Sequence, residues 1–228
     1  MRRYFEEIEE ELKNKLLHMG SLAEEMIHLA TKALLERKEE FLKKVPQNEE
    51  EVNRLHIEID DRCLKLLALH QPAAQDLRFI IAAVKINSDL ERIADQAVNI
   101  SENTAVLLNE PQLEKKPLDI PRMADLAKSM LKDSLDAFVK KDADLARSVI
   151  QRDDEEDKLK SHAFHELMRL MQSDSSTIKR ALGLILISRN LASIADHATN
   201  IAEDVIFMTL GKDIRHHIEE KNASETAG

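Results

Sequence analysis

Turn-forming residues are scarce in this chain, which has 4 glycines and 5 prolines among 228 residues. Sheets rely on glycine, proline and their partners at tight turns, so a chain with so few of them is a poor candidate for a β-fold. Leucine, alanine, glutamate and lysine are common instead, and all four are good helix formers. The composition therefore predicts an all-α fold.

Aromatic residues make up only 3% of the chain, and tryptophan is absent. Pockets that stack sugars, bases or cofactors on aromatic rings are therefore not expected. The formal net charge of -10 repels phosphate backbones and anionic lipid headgroups. Nucleic acid and membranes are therefore not expected partners, whereas a protein or a bound cation suits this charge.

Cysteine occurs once, at Cys63, so the chain cannot form an internal disulfide. The helical spacing of Cys63 among leucines favours a small buried hydrophobe over a reactive thiol. The N-terminus does not resemble a signal peptide, and the longest apolar runs, near 79–84 and 181–187, are too short to span a bilayer. We therefore expect a cytoplasmic protein without a membrane-inserted segment.

A first long amphipathic helix is predicted from near Tyr4 to near Arg37, where apolar residues recur at helical spacing. Its apolar stripe comprises Leu12, Leu16, Met19, Ala23, Met26, Ile27, Ala30 and Leu34. This stripe is expected to face the core.

Two further helices are predicted before the middle of the chain. The second should end near Leu69, because Gln71 and Pro72 interrupt the pattern, and the third should reach about Glu110. A polar stretch follows that contains Pro111, Pro117 and Pro121. We interpret this stretch as a linker.

The second half of the chain repeats the first. Met26 and Ile27 correspond to Met130 and Leu131 at a shift of 104 residues, and the third helix of each half matches at a shift of 101. The identical positions of that helix are Leu90, Ile93, Ala94, Asp95, Ala97, Asn99, Ile100 and Glu102. The repeat predicts two three-helix bundles, residues 1–112 and 119–211, each with its own small core, and the polar segment 212–228 is predicted to be a disordered tail.

Oxygen-bearing side chains share one face of the second and third helices in each half, because the two helices are expected to run antiparallel. The candidate metal ligands on these faces are Glu49, Asn53, Glu91, Asp95, Asn99, Asp153, Asp157, Asp196 and Asn200. Clustered carboxylates of this kind bind hard or borderline cations. A solvated acidic face is the alternative, because acidic pairs are common on helices in a chain with 43 aspartates and glutamates.

Three segments carry a family resemblance: residues 71–78 read QPAAQDLR, residues 89–95 read DLERIAD, and residues 194–203 read IADHATNIAE. Together they resemble the PhoU family of phosphate-transport regulators, and the resemblance extends to about Gly211. It implies two three-helix bundles in a cytoplasmic homodimer that helps to repress phosphate-starvation responses. The implied partners are the ATPase subunit of the phosphate ABC transporter and the sensor kinase of the phosphate regulon.

The resemblance also implies clusters of iron, zinc or another divalent metal such as manganese or magnesium, held by paired Glu/Asp-x-x-x-Asp motifs. The motif falls on residues 91–95 and 153–157. Asn53 stands where an acid is often found, and Ala192 stands where a glutamate is expected four residues before Asp196. The second cluster should therefore be weaker than the first, and a metal-free face stays the alternative.

Two other functions agree with parts of the sequence. A di-iron oxidase needs Glu-x-x-His on two helices, and only Glu25 with His28 matches, so we predict a regulator rather than an enzyme. His162 and His165 are interpreted as part of a solvated polar face. A helical adaptor or chaperone cofactor with no link to phosphate would show the same periodicity, so only the motif resemblance separates it from a regulator.

Overall fold

Six long α-helices make up the computed structural model, which describes residues 2–70, 72–113 and 119–214. They are α1 (Arg2–Glu36), α2 (Val45–His70), α3 (Ala74–Leu108), α4 (Asp119–Lys140), α5 (Ala143–Ser173) and α6 (Ile178–Leu210). Short 3-10 segments, Glu39–Lys44 and Ser175–Thr177, precede α2 and α6. These ranges contain no strand, so the predicted all-α fold is confirmed.

The predicted helix ends agree with the structure to within about two residues. The stripe of α1 from Leu12 to Ala30 is fully buried, as its spacing predicts. Gln71 and Pro117 lie outside the described residues. Pro121 lies in the first turn of α4 rather than in the linker, a position where proline's missing N–H has no helical partner to lose.

The turns after α1 and α4 have the same backbone conformation, which shows the repeat at the level of geometry. Arg37 and Lys141, 104 residues apart, both adopt the left-handed conformation, with φ of 55° and 54°. In each turn the next residue donates its N–H to the carbonyl five residues back, at 3.2 Å and 2.9 Å. This is the Schellman arrangement that closes a helix C-terminus.

The two three-helix bundles share one hydrophobic core, so the prediction of two separate cores is wrong. Buried apolar residues from all six helices form one continuous cluster. Phe79 of α3 stacks on Phe138 of α4, with ring centroids 5.8 Å apart. Consecutive residues such as Ala82 and Ala83 are both buried, so α3 buries more than one side. One side packs within its own bundle and another against the other bundle.

The third helices of the two halves, α3 and α6, pack against each other in antiparallel orientation. Lys85 of α3 forms an ion pair with Asp204 of α6 at 2.7 Å, and Arg78 donates to the Met208 carbonyl at 3.4 Å. Residues later on α3 therefore meet residues earlier on α6. The two acidic faces described below therefore lie on helices that share one core.

The C-terminal end of α6 is closed by Gly211, whose φ is 70° and whose N–H donates to the Phe207 carbonyl at 2.8 Å. Glycine suits this left-handed cap because it has no Cβ. The tail prediction placed the disordered segment from residue 212 onwards. Ile214 is half-buried and packs against the core, so the start of that segment is ordered against the helices. Residues 215–228, the rest of that predicted tail, lie outside the described residues.

Candidate functional site: two acidic faces

The first acidic face lies on α2 and α3. Its members are Glu49, Asn53, Glu91, Asp95, Asn99 and Glu102. Partial burial of Glu49 raises the pKa of its carboxyl, and the nearby charges of Asp95 and Glu102 raise it further. The structure therefore brings Glu49 together with Asp95 across the helix pair, and no basic side chain contributes to this shift.

For three other members of the first acidic face, the structure shows the extent of burial but no contact with Glu49 or Asp95. Asn53 and Asn99 are exposed on α2 and α3, and Glu91 is half-buried. The backbone carbonyl of Asn99 accepts a hydrogen bond from the Asn103 amide at 2.7 Å, within the same helix. The roles of Asn53, Glu91 and Asn99 as metal ligands stay predictions.

The second acidic face lies on α5 and α6, and its members are Asp153, Glu156, Asp157 and Asp196. Burial raises the pKa of Asp153, and the charges of Asp196 and Asp157 raise it further. The ammonium of Lys160 bonds directly to Asp157 and lowers the pKa of Asp196, although burial of Asp196 outweighs this effect. Asp153 and Asp157 therefore lie near enough to Asp196 for their charges to interact, in line with the antiparallel arrangement expected from the sequence.

Glu156 was missed by the sequence reasoning, although it is the most buried acid of the second acidic face. Its residue is only 1% exposed, and neither carboxylate oxygen has a hydrogen-bond partner among the described residues. Burial raises the pKa of Glu156 to about 8, the charge of Lys160 lowers it, and Asp153, Asp157 and Asp196 raise it by smaller amounts. The repeat could have indicated that Glu156 is buried. A shift of 104 residues aligns Glu156 with the apolar residue Val52, which is fully buried.

In neither acidic face do three acidic side chains have their oxygens within 4.8 Å of one another among the described residues. Within the described ranges, one group of three His, Cys, Asp or Glu side chains has its ligand atoms within 4.8 Å of one another, and it consists of Asp119, His162 and Glu166. Carboxylates of like charge repel at such spacing, and a shared cation offsets that repulsion. The faces therefore present clustered oxygen donors at wider spacing.

The group of Asp119, His162 and Glu166 is explained by an ion pair. His162 bonds directly to the buried Asp119, which raises the pKa of His162. At the equivalent positions of the first half, Lys15 pairs with Glu58 at 2.8 Å. The second half has the same kind of contact with the signs of the charges exchanged, so this group needs no metal to account for it.

Asn200 takes part in the contact between the halves. Its amide donates to Asp89 of α3 at 3.3 Å, and Nδ1 of His197 lies 2.8 Å from the same oxygen. In this conformation the Asn200 side chain is directed at α3 rather than at the acids of α5. Its predicted role as a metal ligand is therefore not supported by a shared position with Asp153 or Asp157.

Other sequence-based expectations concern single residues. Cys63 is buried, as predicted, and burial raises the pKa of its thiol to about 12, so the unreactive thiol form predominates. Glu25, part of the lone Glu-x-x-His match, is engaged by Lys44 at 2.6 Å and by Asn48 at 2.9 Å. No described helix has the length and apolar character needed to cross a membrane.

Two repeated three-helix bundles on one core, with acidic side chains on the second and third helices of each half, define a class of all-helical repeat proteins. The family model described as the PhoU domain matches the chain twice, over residues 16–104 and 120–205. The chain belongs to the PhoU family.

Relatives and solved structures agree with this assignment over nearly the whole length. The phosphate-specific transport system accessory protein PhoU homolog of Pseudomonas putida is 38% identical over 96% of this chain and 86% of its own. The homolog of the same name from Aquifex aeolicus is 39% identical over 96% of this chain and 99% of its own.

Among solved structures, the crystal structure of PhoU from Pseudomonas aeruginosa has a TM-score of 0.88 at 36% identity and covers 91% of this chain and 100% of its own. The phosphate transport system regulatory protein PhoU from Streptococcus pneumoniae has a TM-score of 0.84 at 30% identity, with 92% and 98% covered. The predicted family and fold are therefore confirmed.

Proposed function

We propose that this chain is a negative regulator of phosphate uptake and of phosphate-starvation signalling, and that it acts through protein contacts rather than as an enzyme. The observation that carries the proposal is the full-length match to relatives named as accessory proteins of the phosphate-specific transport system. The net charge of -10 and the two acidic faces favour a basic protein surface as the partner.

The proposed partners are the ATPase subunit of the phosphate ABC transporter and the sensor kinase of the phosphate regulon. The protein is proposed to act in the cytoplasm. A regulator changes the state of its partner only if it binds one state more tightly than the other. The acidic faces are the proposed contact surfaces, because their carboxylates are only partly neutralised by neighbouring lysines.

We further propose that the acidic faces bind a divalent metal such as iron, zinc, manganese or magnesium, which organises the contact surface. The donors fit such an ion: Glu49 with Asp95 on one face and Asp153 with Asp196 on the other provide oxygen ligands on adjacent helices. Glu156, whose two carboxyl oxygens have no hydrogen-bond partner among the described residues, adds a further oxygen donor to the second face. A bound ion would supply positive charge and cross-link the helices of each face.

The regulator proposal predicts that Asp95→Ala combined with Asp196→Ala weakens capture of the phosphate-transporter ATPase or the sensor kinase and lowers the metal content. Both effects are expected because each substitution removes a carboxylate at the centre of one face. The measurement is a crosslinked pull-down of the tagged chain from its own host, phosphate-replete against starved, with mass spectrometry of partners and elemental analysis of metal.

A matched control combines Asp61→Ala with Asp125→Ala, which removes the same charge from exposed acids paired to lysines on their own helices. This control should capture partners as the wild type does. Recovery of neither phosphate-system partner, with another abundant protein captured instead, would move the function to a helical adaptor. Equal capture by the Asp95/Asp196 variant would show that the faces are not the contact surface.

A homodimer is also proposed, supported by an exposed apolar stripe on α6. Ile178, Leu182 and Leu186 follow one another at four-residue spacing, and the last two are 49% and 45% exposed. The repeat places exposed Leu77 and Ile81 of α3 at the positions equivalent to Ile178 and Leu182. Exposed apolar residues that share a helix face often mark a protein interface.

The dimer proposal predicts that Leu182→Glu with Leu186→Glu yields a monomer, because two charges would have to be desolvated in the interface. Sedimentation velocity at matched concentrations measures the mass. Ile57→Glu with Val106→Glu, at exposed apolar residues on two different helices, α2 and α3, serves as the control and should remain dimeric. A wild-type protein that sediments as a monomer at tens of micromolar would refute the dimer.

A further inference from the structure

The two halves of the repeat differ at one position on each of the two helices that carry the acidic face. In the first half, Val52 on α2 is fully buried and Glu91 on α3 carries the first acid of the Glu-x-x-x-Asp motif. In the second half, the equivalent positions hold Glu156 on α5 and Ala192 on α6. The carboxylate and the apolar residue have therefore exchanged helices.

The exchanged carboxylate lies at the height where the missing one would be. Helices α5 and α6 run antiparallel, and the charges of both Asp153 and Glu156 interact with that of Asp196. Ala192 is one helical turn from Asp196 on α6 and is 4% exposed. Glu156 therefore reaches the same acidic group from the opposite helix.

Folding alone does not explain Glu156. Its carboxyl group is buried with both oxygens unpartnered among the described residues, so it loses hydrogen bonds to water when protonated and solvation of its charge when ionised. Val52 shows that an apolar residue fits the equivalent position. The ammonium of Lys160 bonds directly to Asp157 and not to Glu156, and its charge lowers the pKa of Glu156 without offsetting the effect of burial.

We propose that Glu156 replaces, from α5, the carboxylate that Ala192 removes from α6, so that the second acidic face binds a divalent cation through Glu156, Asp153 and Asp196. This inference rests on the proposed metal-binding function and corrects one expectation drawn from sequence. The loss at Ala192 predicted a weaker second site, whereas an oxygen donor transferred across the helix pair keeps the number of carboxylates the same.

The inference is tested by isothermal titration of Mn²⁺ into metal-stripped, full-length protein. The Asp95→Ala background isolates the second face, and Glu156→Val introduces the residue found in the first half. Mn²⁺ affinity should fall by at least about tenfold, the loss typical of perturbing a metal site, because an anionic ligand is removed. Glu155→Val, at the exposed neighbouring acid, should leave affinity unchanged.

A second variant provides a gain-of-binding test. Glu156→Val combined with Ala192→Glu transfers the arrangement of the first half onto the second, and it should restore Mn²⁺ affinity in the Asp95→Ala background. Circular dichroism checks that each variant is folded. A loss on Glu156→Val with recovery in the combined variant is the expected result, since a purely structural role of Glu156 would not be rescued from α6.

The outcomes separate this inference from the proposed function. Unchanged affinity in Glu156→Val overturns the role of Glu156 and leaves metal binding by the other acids intact. Mn²⁺ binding that is lost in Asp95→Ala alone, with no residual site, also overturns the role of Glu156 but preserves metal binding at the first face. A wild-type protein that binds no Mn²⁺ refutes both.

Discussion

Replacing Phe138 by alanine is expected to lower the free energy of unfolding by about 3–5 kcal/mol, the usual range for truncating a buried phenylalanine. Phe138 of α4 is completely buried, and its ring stacks on Phe79 of α3 at a centroid distance of 5.8 Å. Because this contact joins the first bundle to the second, the cavity destabilises both halves together. Urea unfolding followed by circular dichroism measures the loss.

Calorimetry of the same variant tests whether the two bundles share one core. If all six helices unfold as one unit, the calorimetric and van't Hoff enthalpies agree, and the transition of the Phe138→Ala protein shifts as a whole. Phe164→Ala serves as the control, because Phe164 on α5 is 43% exposed and should cost less than about 1 kcal/mol. Two transitions, of which only one moves in Phe138→Ala, would mean that the bundles are separate folding units.

Glu156→Val should have the second large effect and stabilise the metal-stripped protein by about 4 kcal/mol at pH 8. Burial raises the pKa of Glu156 to about 8 in the folded protein, above its ordinary value of 4.5. Between these values the unfolded chain releases the proton while the folded chain retains it. Wild-type stability therefore falls as pH rises from 4.5 to 8 and levels off above that, and valine removes this penalty.

The measurement is urea unfolding of chelator-treated wild type and variant at pH 5, 6.5 and 8. The stability difference should grow with pH, because the side chain of valine does not titrate, whereas Glu156 releases its proton in the unfolded chain over this range. Glu155→Val, at an exposed acid, should show no such growth. A difference that is constant across the three pH values would mean that Glu156 ionises normally in the folded protein.

Most of the fold could be predicted from local patterns. The apolar stripe from Leu12 to Ala30, the breaks near residues 37 and 70, and the repeat shifts all depend on neighbours a few turns apart in sequence. The number of cores could not be predicted in this way. Nothing in periodicity tells whether a second apolar side of α3 meets solvent, a partner or α6.

The candidate site also contains residues that the sequence could predict and one that it could not. The pairing of Asp153 and Asp157 with Asp196 follows from antiparallel helices of known rise per residue, so the sequence could predict it. Glu156 was not found, because one acid among many on α5 has no distinctive spacing. Its orientation became visible only when burial and the absence of hydrogen-bond partners were known.

The amino-acid sequence by itself determined the helices, their order, the twofold repeat and the family, because these depend on helix-forming composition, short-range spacing and motifs. The tertiary structure alone decided that both bundles share one core, that Asn200 bonds to Asp89, and that Glu156 lies buried among the acids of the second face. These features depend on which helix faces meet, and such contacts join residues far apart in the chain.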